Sequence, residues 1–147
     1  MRYGVVKYAT PTGEKSMTLT LKDANRVAQG AMDKARDLNI NINVAVCDAG
    51  GRLMAFQRMD NAMWAGVYGS QGKAIASAAF GRPSGAFTDR AGHPTMAGIR
   101  VHEGDHMILG QGAVPISRDG VHLGAVGVGG GTAQEDEDCA AAGAAKL

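Results

Sequence analysis

Apolar residues recur at helical spacing near the start of the chain. Leu21, Ala24, Val27, Ala28, Ala31, Met32, Ala35 and Leu38 fall on one face, and this spacing predicts a helix over Thr20–Leu38. Thr20 supplies an N-cap with Asp23 in the capping-box position, and Asn39 supplies a C-terminal stop. Lys22, Asn25, Arg26, Gln29, Lys34 and Asp37 form the polar face, which reads as solvated surface. The pattern then changes. Asn41–Asp48, with Ile42, Val44, Val46 and Cys47, reads as a buried strand. Ala49-Gly50-Gly51-Arg52 turns the chain, and Leu53–Met59 returns as the second strand of a hairpin. A polar loop, Arg58-Met59-Asp60-Asn61-Ala62, closes it.

Trp64–Phe80 reads as a second helix with two unlike faces. One is largely apolar (Trp64, Val67, Tyr68, Gln71, Ile75, Ala78, Ala79); the other is small (Gly66, Gly69, Ser70, Ala76, Ser77) apart from Lys73. Glycine inside a helix costs roughly 1 kcal/mol against alanine, so the small face implies close approach by a backbone or a ligand. Lys73 is then either a snorkelling surface residue or a cation facing a pocket. Gly81-Arg82-Pro83 ends the helix. Ser84–Arg90 reads as a turn of helix, and Thr95–Glu103 as a short helix with Met96 and Ile99 inward.

Met107–Ser117 reads as a strand interrupted at Gly110-Gln111-Gly112. The Asp119-Gly120 turn pairs it with Val121–Val128. That last strand carries Gly124, Ala125 and Gly127, so something packs close to its backbone. Gly129-Gly130-Gly131 follows, and Thr132 with Glu135 forms a capping box opening a final helix. The loop is either a close-packed turn or a ligand wall; Glu135-Asp136-Glu137-Asp138 disfavours phosphate there unless a cation joins it. Residues 1–17 read as an N-terminal arm or edge strand (Tyr3–Tyr8), and 18–147 as one domain. The element order reads helix, hairpin, helices, hairpin, helix.

Composition narrows the function classes. The 147 residues carry a net charge of +1, with three Phe, three Tyr and one Trp. Neither an electrostatic footprint nor a set of stacking platforms for nucleic acid is present. No apolar run approaches the ~20 residues of a membrane span, and the first residues lack a signal-peptide core. Cys47 and Cys139 do not make a disulfide framework. The expected setting is the cytoplasm, without nucleic acid or membrane.

His102-Glu103-Gly104-Asp105-His106 matches H-E-x-x-H. In zinc peptidases a helix places both imidazoles on one face, but Gly104 and Asp105 are poor helix residues. Two histidines at a helix-to-strand turn remain candidates for a metal, a haem iron or an acidic substrate. Cys47, mid-strand, reads as core rather than nucleophile. Thr132 stands where a dinucleotide fingerprint needs its last glycine.

Taken together the motifs resemble the GlcG/HbpS family. They are Val46-Cys47-Asp48-Ala49-Gly50-Gly51, Phe56-Gln57-Arg58-Met59-Asp60, Lys73-Ala74, Phe80-Gly81-Arg82-Pro83, Pro115-Ile116, Asp119-Gly120, and Gly124-Ala125-Val126-Gly127-Val128 through Asp136-Glu137. Their order and spacing match over roughly residues 18–145, with Gly129 where many members carry serine. The resemblance implies a profilin-like α/β (α+β) fold, with an antiparallel sheet of about five strands flanked by helices, which the element order fits, and a homo-oligomer. It includes haem-binding relatives and relatives of no assigned activity.

Three readings follow. The first is a small-molecule-binding protein, with haem or a tetrapyrrole as candidate cofactor. Its ligand wall would be Arg58, Met59, Asp60, Lys73, His102, His106, Gly129, Gly130 and Gly131, with His102 or His106 toward the metal. The second is a small enzyme acting on an oxygenated carboxylic or hydroxy acid through Lys73. The third is a non-catalytic oligomeric accessory module, with the small face of the second helix as subunit contact. Whether the chain is an enzyme stays open.

Overall fold

The computed structural model describes residues 16–147, so the expected Tyr3–Tyr8 edge strand lies outside the described residues. Helix α1 spans Leu21–Asp37, strands β1 and β2 span Asn43–Asp48 and Leu53–Arg58, and α2 spans Gly66–Phe80. A 3-10 helix (Ser84–Arg90) and α3 (Pro94–His102) precede β3 (Ala113–Arg118), β4 (Val121–Gly129) and α4 (Ala133–Ala144). The strands form one antiparallel sheet in the order β2-β1-β4-β3. The described residues thus give an α+β fold with a four-stranded sheet, rather than about five strands.

Local chemistry starts the outer helices where the sequence places them. Thr20 Oγ1 accepts from Asp23 N at 3.1 Å while Asp23 Oδ2 accepts from Thr20 N at 3.4 Å. Thr132 and Glu135 repeat the exchange at 3.3 and 2.8 Å. Asn39, at φ +57°, takes the left-handed conformation that ends α1.

Alternation along the strands then sorts the layers. Val44, Val46, Val126 and Val128 pack with Val27, Ala28, Ala31 of α1 and Cys139, Ala140 of α4. Ala45, Cys47 and Ala125 face the other way, onto Ala74 and Ala78 of α2. Outside α2, Met107 and Leu109 pack with Phe87 and Met96. Residues 107–112 therefore run outside the strand ladder, with Met107, Leu109 and Gly112 buried and Ile108 exposed, and not as the first half of a strand. Pairing begins only at Ala113, after Gly112 at φ +131°.

Helix α2 meets the sheet through its small face. A Cβ at Gly127 would run into the Ser70 carbonyl oxygen and lie 2.7 Å from the Ala74 nitrogen. The close neighbour at Gly127 is thus α2, whereas at Gly124 it is the Cys47 and Asp48 backbone of β1; Ser70 and Ser77 are fully buried. Of the face expected as a subunit contact, Ser70, Lys73, Ala76 and Ser77 are internal, whereas Gly69 has open space beside it. Trp64 and Tyr68 of the bulky face are 65% and 68% exposed, in an edge-to-face pair at 6.3 Å.

Candidate functional site

The residues expected to form one ligand wall are distributed over three places. Antiparallel pairing sets Asn43 opposite both Arg58 and Gly129. Arg58, Met59 and Asp60 therefore lie at one end of the sheet, in a polar cleft of about 480 Å³ with Gln29, Met32 and Arg36 of α1. The Arg58 Nε donates to the Ala62 carbonyl at 3.3 Å.

Lys73 and the glycine loop do converge, but on the protein's own carboxylate. Lys73 is buried, and its Nζ donates to Asp136 Oδ2 at 2.8 Å. The other oxygen, Asp136 Oδ1, accepts from Gly131 N at 2.9 Å. Burial pushes the Asp136 carboxyl up more strongly than the Lys73 ammonium pulls it down. Lys73 is thus neither a snorkelling surface residue nor a free amine in a cavity. The loop glycines are held by close packing. A Cβ at Gly129 would lie 3.1 Å from the Gly66 carbonyl oxygen, and one at Gly130 2.5 Å from that of Asn41. At Gly131 it would meet Glu135 at 3.0 Å.

The H-E-x-x-H segment is not helical throughout. Helix α3 ends at His102, and Gly104 and Asp105 take φ of +68° and +58°. The two imidazoles therefore lack the shared helical face that the zinc motif needs. Among the described residues no group of three or more His, Cys, Asp or Glu side chains is placed to hold a metal ion.

His106 has a different setting. Ile108 N donates to the Gly72 carbonyl at 3.0 Å, and a Cβ on Gly72 would lie 2.5 Å from the Ile108 side chain and 2.7 Å from His106 O. Gly72, absent from the expected small face, is what lets this segment lie directly on α2. His106 thereby lines two clefts that share Gln71 and Ile75. One, of about 180 Å³, is completed by Ala45, Cys47, Gly51, Arg52, Leu53, Ala74 and Glu103. The other, of about 340 Å³, is completed by Tyr68, Gly72, Asp105 and Ile108. Together they form a groove along α2 with aliphatic and aromatic walls, an exposed imidazole at the junction, and an ion pair on the inner rim. In that pair Arg52 Nη1 meets Glu103 Oε1 at 2.7 Å. His102 lines neither cleft.

Cys47 sits at the floor of the inner cleft. Burial pushes its thiol up to about 12, so it is an uncharged wall group and not a thiolate ligand or nucleophile at neutral pH. Sequence reasoning missed Arg52, Tyr68, Gln71, Ile75 and Ile108 as groove residues. The available signal was Gly72 beside Gln71, a helix glycine with no turn to serve.

Comparison with known proteins agrees with this architecture. An uncharacterized 15.0 kDa protein from the dhaT-dhaS intergenic region of Citrobacter freundii is 31% identical over 121 residues, covering 81% of this chain and 84% of that protein. Protein GlcG of Escherichia coli K12 is 31% identical over 110 residues, covering 75% and 80%. Among solved structures, the Klebsiella pneumoniae protein ORFY superposes with a TM-score of 0.80 at 25% identity, covering 95% of this chain and 97% of that one. A PduOC–haem complex superposes at 0.77 with 23% identity, covering 88% and 95%. The family described as "Haem degrading protein HbpS-like" matches residues 19–145. The chain belongs to the HbpS-like family.

Proposed function

We propose that this protein binds haem or a related tetrapyrrole in the groove along α2, with His106 as the group that meets the metal. The observation that carries the reading is the placement of an exposed imidazole where two clefts join, between the Ile75, Ile108 and Tyr68 walls and the Arg52–Glu103 pair. The residues fit the group. Imidazole is a common axial ligand to haem iron. An apolar wall suits a macrocycle, and a cation at the rim suits a carboxylate edge. Bound there, haem would supply an iron centre capable of redox change and ligand exchange. The chain's own part is to bind and orient. Gly72 holds the His106 backbone against α2, and Cys47, kept as a thiol, leaves the imidazole without a competing thiolate. The family description and the haem bound by PduOC support the same ligand class.

In this reading Lys73 and the glycine loop are structural, and Arg58, Asp60 and His102 lie outside the site. Haem titration tests it. His106→Ala is expected to shift or abolish the Soret change of the native protein, whereas His102→Ala leaves it intact. An unaltered spectrum in His106→Ala would remove that residue from the site.

The same reading includes a homo-oligomer in the cytoplasm. Met63, Trp64 and Tyr68, all more than half exposed on one stretch of chain, form an apolar surface that supports self-association. Solution mass is expected to fall in Trp64→Glu.

A further inference from the structure

We propose that Arg52 is the carboxylate-selecting residue of this groove, and that Glu103 is the partner it exchanges for a ligand carboxylate. The inference rests on the reading of the groove as the ligand site and specifies which chemistry the site prefers.

The turn beneath Arg52 is fixed. Asp48 Oδ1 accepts from both Gly50 N at 2.9 Å and Arg52 N at 3.0 Å. Asp48 N donates to the Arg52 carbonyl at 2.9 Å, and Gly51 takes a φ of +74° that a side chain rarely adopts. The Arg52 backbone is therefore pinned beside the inner cleft. Its side chain is not, because 68% of it is exposed.

Glu103 is the only ion-pair partner Arg52 has among the described residues. The pair is short, at 2.7 Å, and links the β1–β2 turn to the C-cap of α3, with the Arg52 side chain mostly in solvent and that of Glu103 26% exposed. Arg52 can turn away without leaving its own charge buried, and Glu103 keeps contact with water, so exchanging the partner costs far less than breaking a fully buried pair. A guanidinium binds carboxylates through a planar fork of donors, and a ligand carboxylate at the rim would offer what Glu103 offers now. A neutral ligand would gain nothing from Arg52 and would leave the Glu103 pair in place. The groove thus discriminates by an exchange of counter-ions.

Haem and its dimethyl ester separate the idea from the reading beneath it, since both carry the same iron and macrocycle and only haem carries free carboxylates. Spectroscopic titration of the native chain is expected to give affinity for haem about tenfold above that for the ester, the scale of one charge-assisted hydrogen bond. Arg52→Gln is expected to bring haem down to the level of the ester while leaving the ester unchanged. Glu103→Gln, which removes the competing carboxylate, is expected to tighten haem but not the ester. Equal affinities for haem and ester in the native chain, or equal losses for both in Arg52→Gln, would overturn the role of Arg52 and leave the groove standing. Absence of binding by either compound would overturn both. Thermal melting of each variant checks that the fold is retained.

Discussion

At the scale of single residues, the most exacting arrangement is the ion pair between Lys73 and Asp136. Both side chains are about nine-tenths buried, so neither charge is supported by water. Removing one partner of a buried pair typically costs about 3–5 kcal/mol, because the other is left unpaired. Asp136→Asn is therefore expected to lower the urea midpoint by a corresponding amount. Lys73→Met with Asp136→Leu, which removes both charges, is expected to recover most of the loss. Sequence reasoning recognised Lys73 as unusual but could not find its partner. Asp136 sits within a run of four acids, and nothing in such a run says which member turns inward. Cys47 gives a second expectation. Its thiol ionises near 9.0 when free and is pushed by burial up to about 12 in the fold. The unfolded chain therefore releases this proton first as pH rises. The contribution of Cys47 is intact below about 9 and lost as pH climbs toward 12. Denaturant midpoints for the native chain are expected to fall over that window more steeply than those for Cys47→Ala.

Among the elements, α2 and β4 are matched by what they lack. Gly127 brings the strand against Ser70 and Ala74, so a methyl group there has no room. Gly127→Ala is expected to destabilise by ~2 kcal/mol or more through overpacking. Gly69 lies in the same helix with open space where a Cβ would stand, nothing coming within 4 Å of that point. Gly69→Ala is expected to stabilise by up to about 1 kcal/mol. Equal effects of the two changes on thermal midpoints would contradict this packing. The contrast explains what was legible. Helix α1, the two hairpin turns and both capping boxes depend on residues close in sequence, and they appear as expected. The inward face of α2 depends on a strand some fifty positions later. Bulk normally marks the buried side of a helix, but here the facing strand is glycine-rich, so small side chains fill the interface and Trp64 and Tyr68 point outward.

For the molecule as a whole, strand order decides which residues can share a site. Because β1 runs antiparallel to both neighbours, Arg58 and Gly129 are drawn to the Asn43 end and Leu53 to the Cys47 end. The loop after β2 and the turn after α3 consequently serve different clefts, although either could have been assigned to one pocket from composition. Family resemblance suggested the class of ligand proposed for this chain, while the groove to which the proposal assigns it is visible only in the way residues 106–108 lie on Gly72. Gly72→Ala is expected to displace this segment, weakening haem binding more than the His102→Ala change does; titration of the two variants side by side measures it.

The contact between Lys73 and Asp136 also has a consequence for synthesis. Helix α2 belongs to one layer and α4 to the other, so the amine of Lys73 has no counter-charge until the polypeptide has been made past position 136. A fragment ending before α4 is expected to form its first hairpin and α2 without sealing that helix onto the sheet. Fragments ending before α4 should accordingly stay open to protease, and protection should appear once the segment carrying Asp136 is restored.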